Sequence, residues 1–185
     1  MRIISGSNRG RKLKTPPGDG IRPTGDKVKE SIFNILQFDI EGRRVLDLFA
    51  GTGQLGIEAL SRGAASVTFV DSSQEAITLV RENTALLQFA EPKPRIMIFA
   101  SDAITYLQKT EKFDIILLDP PFASDLLVKC VRLITEKQKV EIGGLIVCEM
   151  DSSTLKTWAK DAYPGYTERS YSYGKTSLLV YTREE

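Results

Sequence analysis

The stretch Leu118-Asp119-Pro120-Pro121-Phe122 is the most chemically specific part of the chain. Two consecutive prolines remove two backbone donors and impose an extended, rigid path. Such a segment presents carbonyl oxygens and an aromatic ring. Asp119 and the carbonyl of Pro120 could each accept a hydrogen from an amine. An exocyclic amine on a nucleic-acid base is a poor nucleophile, because its lone pair is delocalised into the ring. Two acceptors on its hydrogens would draw the nitrogen toward tetrahedral geometry and free that lone pair for in-line attack on a methyl group. Positioning and electrostatics would supply most of the rate. Phe122 could stack on the base, which must be unpaired or flipped to be reached. Asp119, Pro120, Pro121 and Phe122 are therefore the candidate catalytic residues. A merely rigid turn is the bland alternative, and a glycine loop upstream weighs against it.

That loop is Asp47-Leu-Phe-Ala-Gly51-Thr-Gly53-Gln-Leu-Gly56, a G-x-G-x-x-G pattern. Alone it is weak evidence. Here it follows a strand-like run and opens a helix-like one, the context in which glycines bring backbone close to a nucleotide cofactor. Asp71 lies 20 residues after Gly51, where a carboxylate could accept both ribose hydroxyls. Asp102 follows the next strand and could reach an adenine amine. Helix N-capping is the competing role for both acids. Asp47 precedes the glycines; it suits the cationic methionine end of S-adenosylmethionine and would repel a pyrophosphate. Its alternative is simply to hydrogen-bond the loop. Phe49, Leu55, Ser72 and Ala103, flanking these positions, complete the candidate cofactor set.

The elements that must position these residues follow from hydrophobic period. Strand-like runs at 45–49, 66–70, 95–99, 113–118 and 145–148 alternate with helix-like segments at 53–62, 74–88, 103–109, 126–136 and 153–160. Strands alternating with helices imply a parallel sheet covered on both faces. Two further runs, 167–173 and 176–182 around Gly174-Lys175, predict a tight antiparallel hairpin. The expectation is an α/β, Rossmann-like methyltransferase fold: a mostly parallel seven-stranded sheet with an antiparallel C-terminal hairpin. A small N-terminal extension precedes it, two short strands within 2–13 and a helix from Thr24 or Asp26 to about Phe38. The predicted division is residues 1–40 for the extension and 41–185 for the catalytic domain.

Composition narrows the chemistry. The chain has 185 residues, no histidine and two cysteines, Cys130 and Cys148. Ser-His-Asp and Cys-His catalysis and His-ligated metal sites are excluded. No metal site is expected, and both cysteines lie in apolar runs as small hydrophobes. A C5-type base methyltransferase needs a nucleophilic cysteine, and neither is placed for it. No membrane span or signal peptide is evident, so a cytoplasmic location is expected. Net charge is +1, but residues 1–30 hold eight bases and three acids, +5, leaving −4 for the other 155 residues. A basic end on an acidic body suggests that a polyanion meets that end; a solvated arm is the alternative.

These motifs resemble the amino-methyltransferases of adenine, cytosine or guanine that carry [Asn/Asp]-Pro-Pro-[Phe/Tyr]. More closely, the sequence resembles the bacterial RsmD family of small-subunit ribosomal RNA guanine-N2 methyltransferases. The resemblance covers almost the whole chain: Arg2-Ile-Ile-Ser-Gly, Arg9-Gly-Arg-Lys-Leu13, the segment Arg22-Pro-Thr-Gly-Asp-Lys-Val-Lys-Glu-Ser-Ile-Phe-Asn-Ile-Leu36, Asp47 to Gly53, Leu60-Ser-Arg-Gly63 and Asp119 to Phe122. It implies S-adenosylmethionine as cofactor and a guanine amine of 16S ribosomal RNA as target, in a small subunit or its assembly intermediate. It also implies a monomer whose Arg9, Arg11, Lys12, Arg22, Thr24 and Lys27 contact RNA, making binding salt-dependent. The competing readings are an adenine-N6 methyltransferase on RNA or DNA, a dehydrogenase, and a non-catalytic RNA-binding assembly factor. The dehydrogenase leaves Asp119 to Phe122 unexplained, and an intact motif argues against the assembly factor.

Overall fold

The computed structural model describes residues 1–16, 25–121, 124–158 and 163–185. Among these described residues, thirteen elements follow one another. They are α1 (Asp26–Ile35), β1 (Arg44–Asp47), α2 (Gln54–Ser61), β2 (Ser66–Asp71), α3 (Gln74–Thr84), β3 (Arg95–Ala100), α4 (Ala103–Lys109), β4 (Phe113–Leu118), α5 (Leu126–Glu136), β5 (Val140–Asp151), α6 (Ser152–Thr157), β6 (Tyr166–Tyr173) and β7 (Thr176–Arg183). The seven strands form one sheet in the order β3-β2-β1-β4-β5-β7-β6. The first five strands are mutually parallel. β7 runs antiparallel between β5 and β6. This is the fold expected from the strand–helix alternation and the C-terminal hairpin.

Each sheet face carries its own hydrophobic cluster. One joins alternate residues of β1, β4 and β5 (Val45, Ile115, Leu117, Leu145, Val147) to α2 and α1. The other joins Leu46, Ile116, Ile146 and Cys148 to α4 and α5. Period-2 alternation thus sends neighbouring strand residues to opposite faces, both of them dry. Chain order reverses at β1, whose neighbours are β2 and β4. At such a switch point a crevice opens beyond the carboxyl ends of the strands.

The amino-terminal segment shows less regular structure than its sequence suggests. The two expected strands reduce to one antiparallel bridge, Arg2 with Lys12. Helix α1 begins after Gly25, with no side-chain cap, and has Asp26 in its first turn. The segment is nevertheless fixed. Ile3, Leu13, Val28, Ile32, Phe33 and Leu36 join the α2-side cluster. Polar contacts complete the docking, and they converge on α2. Glu58, fully buried, accepts from Ile4 N (2.8 Å), Ser5 N (2.9 Å) and Arg62 Nε (2.8 Å). Ser61 Oγ donates to Ser5 O (2.6 Å) and accepts from Asn8 N (2.9 Å). Buried Lys29 of α1 donates to Arg2 O (2.6 Å). Burial pulls its ammonium below the usual lysine range, while Glu58 and Asp26 act in the opposite direction.

Removing a buried, paired charge strands its partners. Glu58→Ala leaves Ile4 N, Ser5 N and Arg62 without their acceptor, and about 3 kcal/mol or more of stability should be lost. Urea unfolding measures that loss. Hydrogen exchange should show residues 3–13 opening before the sheet; unchanged protection there would mean that Glu58 does not pin the segment.

Candidate active site

The crevice floor is the loop between β1 and α2, with Gly51 and Gly53 in the left-handed region (φ 52° and 80°). Two carboxylates hold this loop from below. Asp47, the last residue of β1, accepts from Gly56 N through Oδ2 at 2.8 Å. Asp71, the last residue of β2, accepts from Gly51 N through Oδ2 at 2.9 Å and from Ser73 N through Oδ1 at 2.8 Å. The third glycine is required by contact. A Cβ on Gly56 would stand 2.3 Å from Phe69 Cε1 and 2.8 Å from Val67 Cγ1, so α2 can approach the sheet this closely only without one.

The competing roles weighed for these acids now separate. Asp102 is the N-cap of α4, its Oδ1 accepting from Thr105 N at 2.8 Å. That bond holds its carboxyl below the ordinary range. For α3 the cap is Ser73, not Asp71. Asp71 instead clamps the glycine loop, and two of its carboxylate's roughly four acceptor positions are used. Ser72 and Asp102 are exposed at the rim, Phe49 is half-buried, and Leu55 and Ala103 are buried.

β4 delivers the second half of the site. Asp47 pairs in register with Leu117, so Asp119 emerges two residues further along the neighbouring strand. Leu48 N donates to Leu117 O (3.1 Å), holding the two strand ends together. Asp119 is half-buried, Pro120 buried and Pro121 exposed. The carbonyl of Pro121 accepts from Ser124 N (3.2 Å) and Oγ (2.8 Å). The carbonyl of Pro120 has no donor among the described residues. Phe122, Arg22 and Thr24 lie outside the described residues.

Electrostatically the crevice is acidic. Asp47 is 2% exposed. Burial pushes its carboxyl up to about 7; the bond from Gly56 N opposes this, and the negative charges of Asp119 and Asp71 add to it. Three carboxylates at adjacent strand ends favour an incoming cation and disfavour a pyrophosphate. Burial also raises the thiol of Cys130, to about 12, and that of Cys148 further. Neither is a nucleophile.

The basic side chains sit on the docked amino-terminal segment. Arg9, Lys12 and Lys27 are exposed. Arg11 is half-buried and its Nη1 donates to Leu86 O. Arg2 and Arg9 face Asp26 and Glu30 of α1 across a cleft of about 260 Å³. Besides Lys29, sequence reasoning missed the buried polar residues Asn83, Glu58 and Gln54. Asn83 donates to Thr52 O (2.9 Å) and Lys14 O (3.1 Å), tying the glycine loop to the amino-terminal segment. Glu58 anchors the hairpin. Gln54 opens α2 with its side chain buried. The available signal was their placement at apolar helical positions.

The raised value of Asp47 has a thermodynamic sign. Below the ordinary carboxylate value of 3.8 the group is protonated folded or unfolded. Between there and about 7 only the unfolded chain ionises, so stability falls as pH rises; above 7 the penalty is constant. Asp47→Asn, which keeps an acceptor for Gly56 N, should raise the melting temperature at pH 8. The gain should shrink steadily toward pH 4, as differential scanning calorimetry would record. An equal offset at every pH would contradict the buried-acid account.

The family model for "Conserved hypothetical protein 95" matches residues 1–182. "Putative rRNA methyltransferase YlbH" of Bacillus subtilis is 41% identical, with 99% of each chain covered. "Ribosomal RNA small subunit methyltransferase D" of Haemophilus influenzae is 38% identical over 82% of this chain and 79% of its own. Its Escherichia coli counterpart is 37% identical over 82% and 75%. Among solved structures, "Putative methyltransferase yhhF from Escherichia coli" superposes with a TM-score of 0.86 at 32% identity, covering 100% of this chain and 98% of that one. Matched over nearly its full length, the chain belongs to this conserved family of rRNA methyltransferase relatives, the RsmD family.

Proposed function

We propose that the protein transfers a methyl group from S-adenosylmethionine to the exocyclic N2 amine of a guanine in 16S ribosomal RNA, within a small subunit or its assembly intermediate. The observation that carries this reading is the meeting, at the switch point, of an acidic crevice with Asp119 and a Pro120 carbonyl that has no donor among the described residues. The named activity of the relatives supports the RNA substrate. The cofactor fits the residues present: a buried, incompletely bonded carboxylate at Asp47 and a glycine loop open to close approach. When bound, it supplies an electrophilic methyl on a cationic sulfur.

The chain's own residues supply the rest. Asp47 would take the cofactor's ammonium, and that neighbouring charge would return its carboxyl to the ionised form. Asp71 would use its remaining acceptor positions on the ribose hydroxyls, and Asp102, Ser72 and Ala103 would line the base. Phe49 and Leu55 would wall the methionine side. Asp119 and Pro120 O would accept the two hydrogens of the target amine and orient its lone pair, while Phe122 stacks on the base. Arg9, Lys12 and Lys27, with Arg11, Arg22 and Thr24, would position the RNA through its phosphates.

The deciding experiment uses labelled S-adenosylmethionine with unmodified small ribosomal particles, naked 16S RNA and DNA. Label on guanine N2 is expected. Asp119→Ala should lower the rate by about 10²–10³-fold, as when a positioned charge-stabilising group is removed. Label on adenine would keep the chemistry and overturn the target. No label, despite cofactor binding, would favour an assembly factor.

The basic segment makes a separate prediction. Arg9→Ala with Lys12→Ala should weaken RNA binding and lower the salt slope by about two, roughly one per lost phosphate contact. An unchanged slope in filter binding across salt concentrations would remove these residues from the interface.

A further inference from the structure

The cleft between the amino-terminal hairpin and α1 is walled by charges of opposite sign that do not close on one another. It measures about 260 Å³, with Arg2 and Arg9 of the hairpin on one side and Asp26 and Glu30 of α1 on the other. Among the described residues neither arginine has an ion-pair partner and neither has Glu30, while Asp26 reaches only Lys29, at 4.0 Å. The acidic wall also repels itself. Asp26 and Glu30 stand at i and i+4, on one face of the helix, where like charges are unfavourable. Contacts beneath the walls hold them in place. Glu58 accepts from Ile4 N and Ser5 N (2.8 and 2.9 Å). Ile32 and Phe33 pack α1 into the core. Buried Lys29 reaches from α1 to Arg2 O (2.6 Å). The spacing of the two walls is therefore set by buried groups and not by the charges that line it.

A ligand that satisfies both walls needs an anion at one end and hydrogen-bond donors at the other. Small-ligand pockets begin at about 300 Å³, so the cleft suits one nucleotide and excludes a double helix. A phosphate meets the planar forks of Arg2 and Arg9. Glu30, the acid with no cation, is best served by two parallel donors. Among the four RNA bases, guanine alone carries two adjacent donors on its Watson–Crick edge, N1–H and the N2 amine. Adenine and cytosine place a ring acceptor beside their amine, which a carboxylate repels. Uracil sets a single N–H between two carbonyls. Buried Ile3 and half-buried Ile4 add an apolar wall for the ring. The Watson–Crick edge is accessible only in unpaired RNA, the form in which protein side chains read it.

We propose that this cleft is a second base site, holding one unpaired guanosine of the RNA outside the crevice, with its phosphate on Arg2 and Arg9 and its Watson–Crick edge on Glu30. This rests on the RNA substrate reading. The cleft shares no residue with Asp47, Asp71 or Asp119, so the guanine it holds is not the one that meets the methyl group. The chain would thereby check its substrate at two points, and Asp26 and Glu30 gain a reason to stand on a platform that otherwise attracts phosphate.

Fluorescence anisotropy tests this with the full chain and labelled single-stranded uridine pentamers whose central residue is guanosine, inosine or adenosine. Inosine keeps N1–H and lacks the amine. The natural chain should bind the guanosine pentamer about tenfold more tightly than the inosine one, the range for a hydrogen bond to a charged group. The adenosine pentamer should bind no better than inosine. Glu30→Gln, at an exposed position, replaces one acceptor oxygen by a donor and should abolish the preference. Arg2→Ala should weaken all three pentamers alike, and Asp119→Ala should leave the preference intact. A preference lost in Asp119→Ala and kept in Glu30→Gln would belong to the crevice and overturn the inference. So would a natural chain that binds 16S RNA but shows no preference among the pentamers. A Glu30→Gln chain that binds all three more tightly by one factor would overturn it too, since Glu30 would then only repel phosphate. A natural chain that binds neither the pentamers nor 16S RNA would instead overturn the RNA reading itself.

Discussion

The closeness of α2 to the sheet is the constraint on which the site depends. Gly56 lies against Phe69 and Val67 with no room for a Cβ. Only at that separation can Gly56 N reach Asp47, the last residue of β1. The same approach fixes where the first turn of α2 stands over the crevice. Asp71 then ties Gly51 to the end of β2. Ala50 N adds a bond to Val70 O (3.0 Å). The loop is thus stretched between two strand ends and one helix start, each rigid in its own right. A site so built is preorganised: its donors and acceptors need little rearrangement to meet a ligand.

The opposite face of α2 carries a second constraint. All eight of its residues are buried, because the amino-terminal segment covers the side that the sheet does not. Apolar contacts give that segment adhesion, but Glu58, Ser61, Asn8 and Asn83 give it register. Each exchanges hydrogen bonds with backbone groups that fit in only one alignment. Asn8, for example, accepts from Gln88 N and donates to Gln88 O, both at 2.9 Å. The consequence is functional. Arg9 and Lys12 ride on a platform fixed to the helix that follows the glycine loop, rather than on a free tether. On the proposed reading, phosphate contacts made there would set the position of a base at β4.

Much of this was legible in the sequence, and the exceptions have physical causes. The bounds of α4, β4 and α5 agree with hydrophobic period because apolar runs delimit β4 and α5 and the Asp102 cap fixes the start of α4. β5 was read as four residues and has twelve. Gly143-Gly144 broke the pattern, although Gly144 is there because a Cβ would lie 2.6 Å from Asp114 O. α3 ends at Thr84, short of the expected Gln88, where Asn8 takes over the backbone of Gln88. The hairpin of residues 2–13 keeps its fold-back, with Ile3 N, Gly10 N and Leu13 N bonded across it to Arg11 O, Ile3 O and Met1 O, but it forms one bridge rather than two strands, because the backbone of Ile4, Ser5 and Asn8 bonds to Glu58 and Ser61 of α2 instead. Lys29, Glu58, Asn83 and Gln54 were not legible as buried, since composition treats such residues as surface and only tertiary pairing makes their burial tolerable.

The same logic links stability to function at Asp47. A carboxyl that burial and two neighbouring acids hold near neutrality is a poor choice for a protein selected only to fold; asparagine would keep the bond to Gly56 and avoid the charge. Retaining the acid makes sense if a cation completes the site. An ammonium beside Asp47 would offset the repulsion from Asp71 and Asp119 and favour ionisation of Asp47. Cofactor binding would then neutralise part of the crevice before the anionic RNA arrives, lowering the electrostatic barrier that three carboxylates present to a phosphate chain. On the proposed reading, an acidic crevice and a basic platform are complementary parts of one arrangement: the first would select a cationic cofactor, and the second would recruit the polyanion whose base must reach it.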